Sequence, residues 1–163
     1  MPFPIGLKRA CAMVVLRHER QFLLLKRINP PFVGHYLPVG GKLAPYEDPH
    51  SAALREAFEE TGIRVEKLQY GGVLVETSPI DYNWQSSIYV ADIDFQEPPI
   101  SDEGTLEWIA FEHIPQIPTP PTDLLIYQYL MRRQPFAFNA LYDADMNLIK
   151  MVEEIEGVDL LLG

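Results

Sequence analysis

Cysteine is almost absent: Cys11 is the only thiol in 163 residues. An internal disulfide framework is therefore excluded, and a reducing compartment fits. Long apolar runs are missing as well. The stretch Ala10–Leu16 ends at Arg17, far short of the ~18 residues that a membrane-crossing helix needs. It meets charge too soon, with no small-residue cleavage site, to read as a secretory leader. Basic residues are scarce: 13 Lys and Arg against 23 Asp and Glu leave a net charge of −10. A chain that grips long nucleic acid normally shows the opposite balance. The expectation is a cytoplasmic protein with no membrane and no long nucleic acid as partner. An acidic chain can still handle phosphates, through a few well-placed cations or through metal ions.

What is present is an ordinary globular composition, 47% hydrophobic and 22% charged, which excludes general disorder. The length suits one domain of ~150 residues, so 1–163 reads as a single domain. The 15 prolines gather at Pro30–Pro31, Pro98–Pro99 and Pro115–Pro121, and none lies between Pro49 and Pro79. Clustered prolines mark loops, and the proline-free stretch should hold a helix. Asp48 before Pro49 is a strong helix start and Gly62 an equally good stop, which predicts a helix over 49–61. Apolar stretches flank the charged turn His18–Glu19–Arg20 as a hairpin. Strands are expected at 70–77, 87–93 and 106–111. A second helix, about 123–133, follows with Thr122 or Asp123 as its cap, and a closing hairpin turns around 143–145. The order is that of one mixed α/β domain.

The helix over 49–61 carries the chemistry. At 100° per residue, Leu54, Ala57, Phe58 and Thr61 form the expected buried stripe, and Glu56, Glu59 and Glu60 fall together on the other side. A solvated polar face is the bland reading of such a cluster. Against it, Glu56 and Glu60 are like charges four apart, which costs an isolated helix ~0.2–0.5 kcal/mol. Glu59 and Glu60 also occupy the last turn, where the macrodipole prefers cations. Arg55 relieves Glu59 only. A divalent cation turns these penalties into ligation, because hard cations take carboxylate oxygens. Magnesium suits best, with manganese as the substitute. Before the helix, Gly40–Gly41 permit close backbone approach, and Lys42 offers a charge to a phosphate oxygen.

The run Gly41-x5-Glu47-x7-Arg55-Glu56-Ala57-Phe58-Glu59-Glu60-Thr61-Gly62-Ile63 resembles the Nudix box, G-x5-E-x7-R-E-U-x-E-E-x-G-U, where U is bulky and aliphatic. All the fixed positions match; at ordinary residue usage that happens by chance on the order of once in 10⁹ starting points. The one departure is Ala57, small where a bulky residue is usual. The resemblance implies a Nudix-type α/β/α sandwich with a mixed β-sheet, and a hydrolase that cleaves the diphosphate linkage of a nucleoside diphosphate joined to a further group. Carried over by position, Glu56, Glu59 and Glu60 become metal ligands, Glu59 also a candidate base, and the Gly40 carbonyl a further ligand. Glu47 and Arg55 become orienting residues. The partner is a small-molecule nucleotide, and a second copy of the chain, as a homodimer, is left open.

The box does not encode the substrate. Similar enzymes place a phosphate-contacting cation where Arg27 stands and a metal-binding or basic glutamate where Glu103 stands, in preference here to Glu97, Glu107 and Glu112. The tail resembles the 8-oxo-dGTP diphosphatase branch, in which an acidic pair opening the second helix hydrogen-bonds the purine edge. Asp123 matches one member of that pair, while Thr122 replaces the other and Leu37 stands where a base-reading asparagine is usual. Tyr82, Asn83 and Trp84 either line a base pocket or close a turn. The reading favoured is hydrolysis of nucleoside triphosphates to monophosphate and pyrophosphate, including oxidised purine ones. The alternatives are ADP-ribose, a nucleotide sugar or a capped RNA end as substrate, or a silent nucleotide-sensing domain.

Overall fold

The first hairpin sets the frame. In the computed structural model, which describes residues 3–161, β1 (Arg9–His18) turns through Glu19 into β2 (Gln21–Arg27). Two short strands, β3 (Tyr36–Leu37) and β4 (Val39–Lys42), follow and pair with β2 and β1 respectively. After α1 (Pro49–Thr61) come β5 (Gln69–Thr77), β6 (Trp84–Asp92), β7 (Ile100–Ser101) and β8 (Gly104–Ala110). A 3-10 turn at Phe111–Gln116 leads into α2 (Pro121–Met131), and β9 (Phe136–Tyr142), β10 (Leu148–Glu153) and β11 (Val158–Asp159) complete the order.

The strands join in one mixed sheet in the order β11-β10-β9-β5-β6-β1-β2-β8-β7. β1 runs parallel to β6 and β5 parallel to β9, while the other pairs are antiparallel. Side chains alternate across the pleat. Ala12, Val14 and Leu16 of β1 therefore join the core under α1, with Ala52, Ala53 and Ala57. Val15 joins the other core, under α2, with Ile126, Tyr127 and Leu130. Helices on both faces make the α/β/α sandwich.

α1 begins and ends where the sequence signals say. The Asp48 carboxylate accepts from the Ser51 amide at 2.8 Å, and Gly62, at φ 72°, donates its amide to the Phe58 carbonyl at 2.7 Å. Its packing face differs from the expected stripe. Ala52, Ala53, Ala57 and Thr61 are buried, Leu54 is half-buried, and Phe58 is 41% exposed with the Arg64 guanidinium over its ring. Small alanines let α1 lie close on the sheet, and that rotates Phe58 outward. Ala57, the one departure from the box, is part of this close contact.

α2 also corrects its sequence reading. Pro120 holds the cap position with no side-chain cap bond, and Pro121 opens the helix. A proline pair pre-sets the backbone and removes a donor that would need capping. Thr122 and Asp123 are thus freed from the role expected of them, and both are buried.

Candidate active site

Gly40 and Gly41 lie in β4, paired with Met13 and Ala12 of β1, rather than in a loop. What they supply is space. A Cβ on Gly40 would sit 2.3 Å from the Ala12 carbonyl oxygen, and one on Gly41 2.6 Å from Glu56 Oε1. The bare backbone lets Glu56 press against β4, and the Gly40 amide donates to Glu60 Oε2 at 3.1 Å. It is this amide, rather than the Gly40 carbonyl, that is seen in contact with the glutamates.

Arg55 organises the rest. Its Nε and Nη2 grip both oxygens of Glu47 at 2.8 Å, while Nη1 reaches Glu56 at 2.8 Å and Glu59 at 3.1 Å. Nη2 also donates to the Lys42 carbonyl at 3.2 Å. A planar fork with five donors can hold three carboxylates and a carbonyl at once, which a lysine could not. The Arg55 hydrogen bonds, helped by the Ala44 amide, hold the Glu47 carboxyl down at about 2. Glu60 moves the other way. Burial, reinforced by Glu56 and Glu103, pushes its carboxyl up to about 7 despite the Gly40 amide and Arg27.

A cleft of about 270 Å³ is lined by Glu56, Glu59, Glu60 and Glu103 together with Ile100, Ser101 and Asp102. Glu103 thus comes to the box glutamates from the edge of the sheet, on the turn between β7 and β8. Arg27 closes the same region. Its Nη1 stands 3.9 Å from Glu103 Oε2, and its Nε donates to the Pro31 carbonyl at 3.0 Å. Glu107 lies elsewhere: it faces the Tyr36 hydroxyl, and its Oε2 is buried without a partner among the described residues. Glu97 and Glu112 are exposed on the surface.

The carboxylates are not drawn into a closed cage: among the described residues no three His, Cys, Asp or Glu side chains are gathered round one metal position. Two of them are turned toward Arg55 instead. The donor set still fits a hard divalent cation. All its atoms are oxygens, most are carboxylate, and the like charges that lift Glu60 are those a cation would neutralise.

Lys42 does not join this group. The pleat places it on the α2 face, beside Cys11, with its ammonium 5.8 Å from the centre of the Trp84 ring. Only its carbonyl serves the α1 side. The α2 face has carboxylates of its own. Asp123 is 7% exposed and has no hydrogen-bond partner among the described residues, and burial and the nearby Glu76 push it up to about 8. Glu76, at the far end of β5, is buried as well and accepts from the hydroxyls of Tyr142 at 2.5 Å and Tyr82 at 3.4 Å. Glu76 was missed because a single Glu in a Val-rich strand reads as an edge residue. Its one sequence signal is its parity with the apolar Leu74, which places it on the buried face. Asn83 is a turn residue, tied to Ser78, Ile80 and Lys8.

Comparison with known proteins bears on family and fold. The family described as the NUDIX domain matches residues 6–130. An uncharacterised Nudix hydrolase of Bacillus subtilis, YvcI, is 31% identical over 125 residues, 74% of this chain and 77% of that one. The mutator MutT protein of Bacillus halodurans superposes with a TM-score of 0.79 at 22% identity, over 90% of this chain and 98% of that one. A MutT NUDIX hydrolase of Burkholderia pseudomallei gives 0.65 at 26% identity, over 76% and 98%. Strands β9, β10 and β11 lie beyond the matched segment, yet β9 pairs with β5 inside the same sheet.

Proposed function

The chain belongs to the NUDIX domain family and is a hydrolase of phosphoanhydride bonds, and on that premise we propose that it cuts nucleoside triphosphates to monophosphate and pyrophosphate with Mg²⁺. The observation that carries this reading is the single cleft that Glu56, Glu59, Glu60 and Glu103 share. Glu56, Glu59 and Glu60, with the Gly40 carbonyl, would hold the cation, and Mn²⁺ would serve in its place. Bound there, the cation supplies charge neutralisation on the phosphate oxygens and a lowered pKa for water. Glu103 takes the proton of the attacking water, with Glu59 the other candidate for that task. Arg55 and Glu47 fix the orientation of the glutamates, and Arg27 binds a phosphate oxygen. Lys42 reaches the substrate only from the α2 face, where it stands near Trp84.

Asp123 reads the base in this proposal. Its side chain is free of capping, 7% exposed, and without a hydrogen-bond partner among the described residues. A purine edge with N–H donors would satisfy it, and oxidised purines are included. The whole chain acts as one domain, in the cytoplasm. The test is a panel of nucleotides with Mg²⁺, with the products identified. Nucleoside triphosphates should yield monophosphate and pyrophosphate. Turnover confined to ADP-ribose, nucleotide sugars or capped RNA ends would replace the substrate class, and binding without hydrolysis would make the chain a sensor.

A further inference from the structure

A second cavity, of about 240 Å³, lies under the C-terminal end of α2, lined by Arg17, Arg133, Gln69, Gln134, Gly71 and Leu130 among others. It is remote from the glutamate cleft. Arg17 stands five residues along β1 from Ala12, roughly 17 Å at ~3.4 Å per residue, and on the opposite face of the sheet. We propose that this cavity is a binding site for a free inorganic oxyanion of phosphate size.

Arg17 carries the inference. It is 2% exposed, and its Nε and Nη2 are spent on Asp92, at 2.6 and 3.0 Å. Nη1 has no acceptor among the described residues, although the residue lines the cavity. A buried guanidinium with unused donors facing a void is an open half of a bidentate site. Arg133 adds the second cation. With Asp92 as the one carboxylate bonded to the pair, the local balance is +1.

The stop of α2 is what brings Arg133 to the cavity. α1 ends on Gly62 in the left-handed region, at φ 72°. α2 ends in the same kind of motif, with Arg133 donating to the Leu130 carbonyl and Gln134 to the Tyr129 carbonyl, but Arg133 takes φ 55° where glycine is the usual residue. Glu19, Phe32, Tyr46 and Met146 share such a φ, and at Arg133 it brings the side chain to the cavity. The same bonds satisfy carbonyls of the last turn that would otherwise oppose an anion. Charge decides the ligand class: two guanidinium groups against one carboxylate at the cavity suit an inorganic oxyanion such as phosphate or pyrophosphate.

The experiment uses the full chain, freed of metal with EDTA, titrated with inorganic phosphate against chloride at matched ionic strength, by calorimetry and thermal unfolding. Phosphate should bind saturably and raise Tm beyond chloride. Arg133→Gly should leave the phosphate-free Tm equal or higher, because glycine suits that φ, and weaken phosphate about tenfold or more. Arg27→Ala should leave phosphate affinity unchanged. Equal phosphate binding in Arg133→Gly, or no phosphate effect beyond chloride, overturns the site. Loss of phosphate binding in Arg27→Ala would place the anion in the glutamate cleft. AMP binding as tightly as phosphate would refute a free inorganic ligand.

Discussion

The two faces of the sheet treat their carboxylates in opposite ways. Under α1, Arg55 and the Gly40 amide hold Glu47, Glu56, Glu59 and Glu60 by hydrogen bonds. Under α2, Glu76 is held by two tyrosine hydroxyls and Asp123 by no described group. The first arrangement is set before any ligand arrives, at the cost of repulsion that Arg55 only partly cancels. The second leaves the Asp123 carboxyl accessible to a ligand. Preorganised charge suits chemistry, and an unpartnered buried acid suits recognition, where a mismatched ligand leaves it unsatisfied.

The sharpest way to break the contrast is Glu60→Gln. It should lower turnover ~10²-fold or more with the fold intact by circular dichroism; turnover within about threefold of the native enzyme would remove Glu60 from the metal site. Stability supplies a second readout. The Glu60 carboxyl lies at about 7 in the folded chain against an ordinary 4.5, so the folded state keeps a proton that the unfolded state releases between those values. Metal-free stability therefore falls as pH rises through that window, and Glu60→Gln should flatten the decline.

Glu103→Gln comes next. A group that acts mainly in the transition state should lower kcat by ~10²-fold with little change in KM. Glu107→Gln, on the other face, should be close to neutral for rate. The reverse pattern in steady-state kinetics would show that the wrong turn carboxylate has been chosen.

On the α2 face, Asp123→Asn separates recognition from chemistry. Assayed at pH 9, where Asp123 is ionised, it should lower kcat/KM for purine triphosphates about tenfold, since a buried mismatch costs ~1–3 kcal/mol, and leave pyrimidine triphosphates nearly unchanged. A uniform loss, or none, would dismiss Asp123 as a base reader. The same substitution should raise stability at pH 9 relative to the native chain, because Asp123 lies at about 8 in the fold and its ionisation is costly there. The smallest effect belongs to Phe58→Ala. An exposed ring should cost under ~1 kcal/mol in urea unfolding, against ~3–5 for a buried phenylalanine.

The α1 site was readable because its groups are contiguous: box spacing, cap and stop all lie within 41–63, and the helix came out at its expected bounds. What failed there was rotation. A helical wheel weighs Phe58 above Ala53, whereas close packing on a sheet prefers alanine. Glu103 was legible only through likeness to other enzymes, since a turn glutamate carries no signal of its own. On the α2 side Asp123 and Tyr82 were candidates, whereas Glu76 and Tyr142 carried no signal of a site. Glu76, Asp123 and Tyr142 come from three elements, and only the parallel pairing of β5 with β9 brings two of them together. The cap expected at Thr122 or Asp123 failed because a proline pair can open a helix without a side-chain acceptor.

β4 lies between these two faces. Gly41 looks toward α1, the neighbouring Lys42 toward α2, and the strand pairs with β1 alone. On the proposed function, a substrate that meets both Glu60 and Asp123 would reach from the α1 side of this strand to its α2 side. The thickness of a single polypeptide strand then acts as a gauge of molecular length. Fragments that reach only one side forgo the advantage of a two-ended grip, and a displacement of β4 would disturb both ends together.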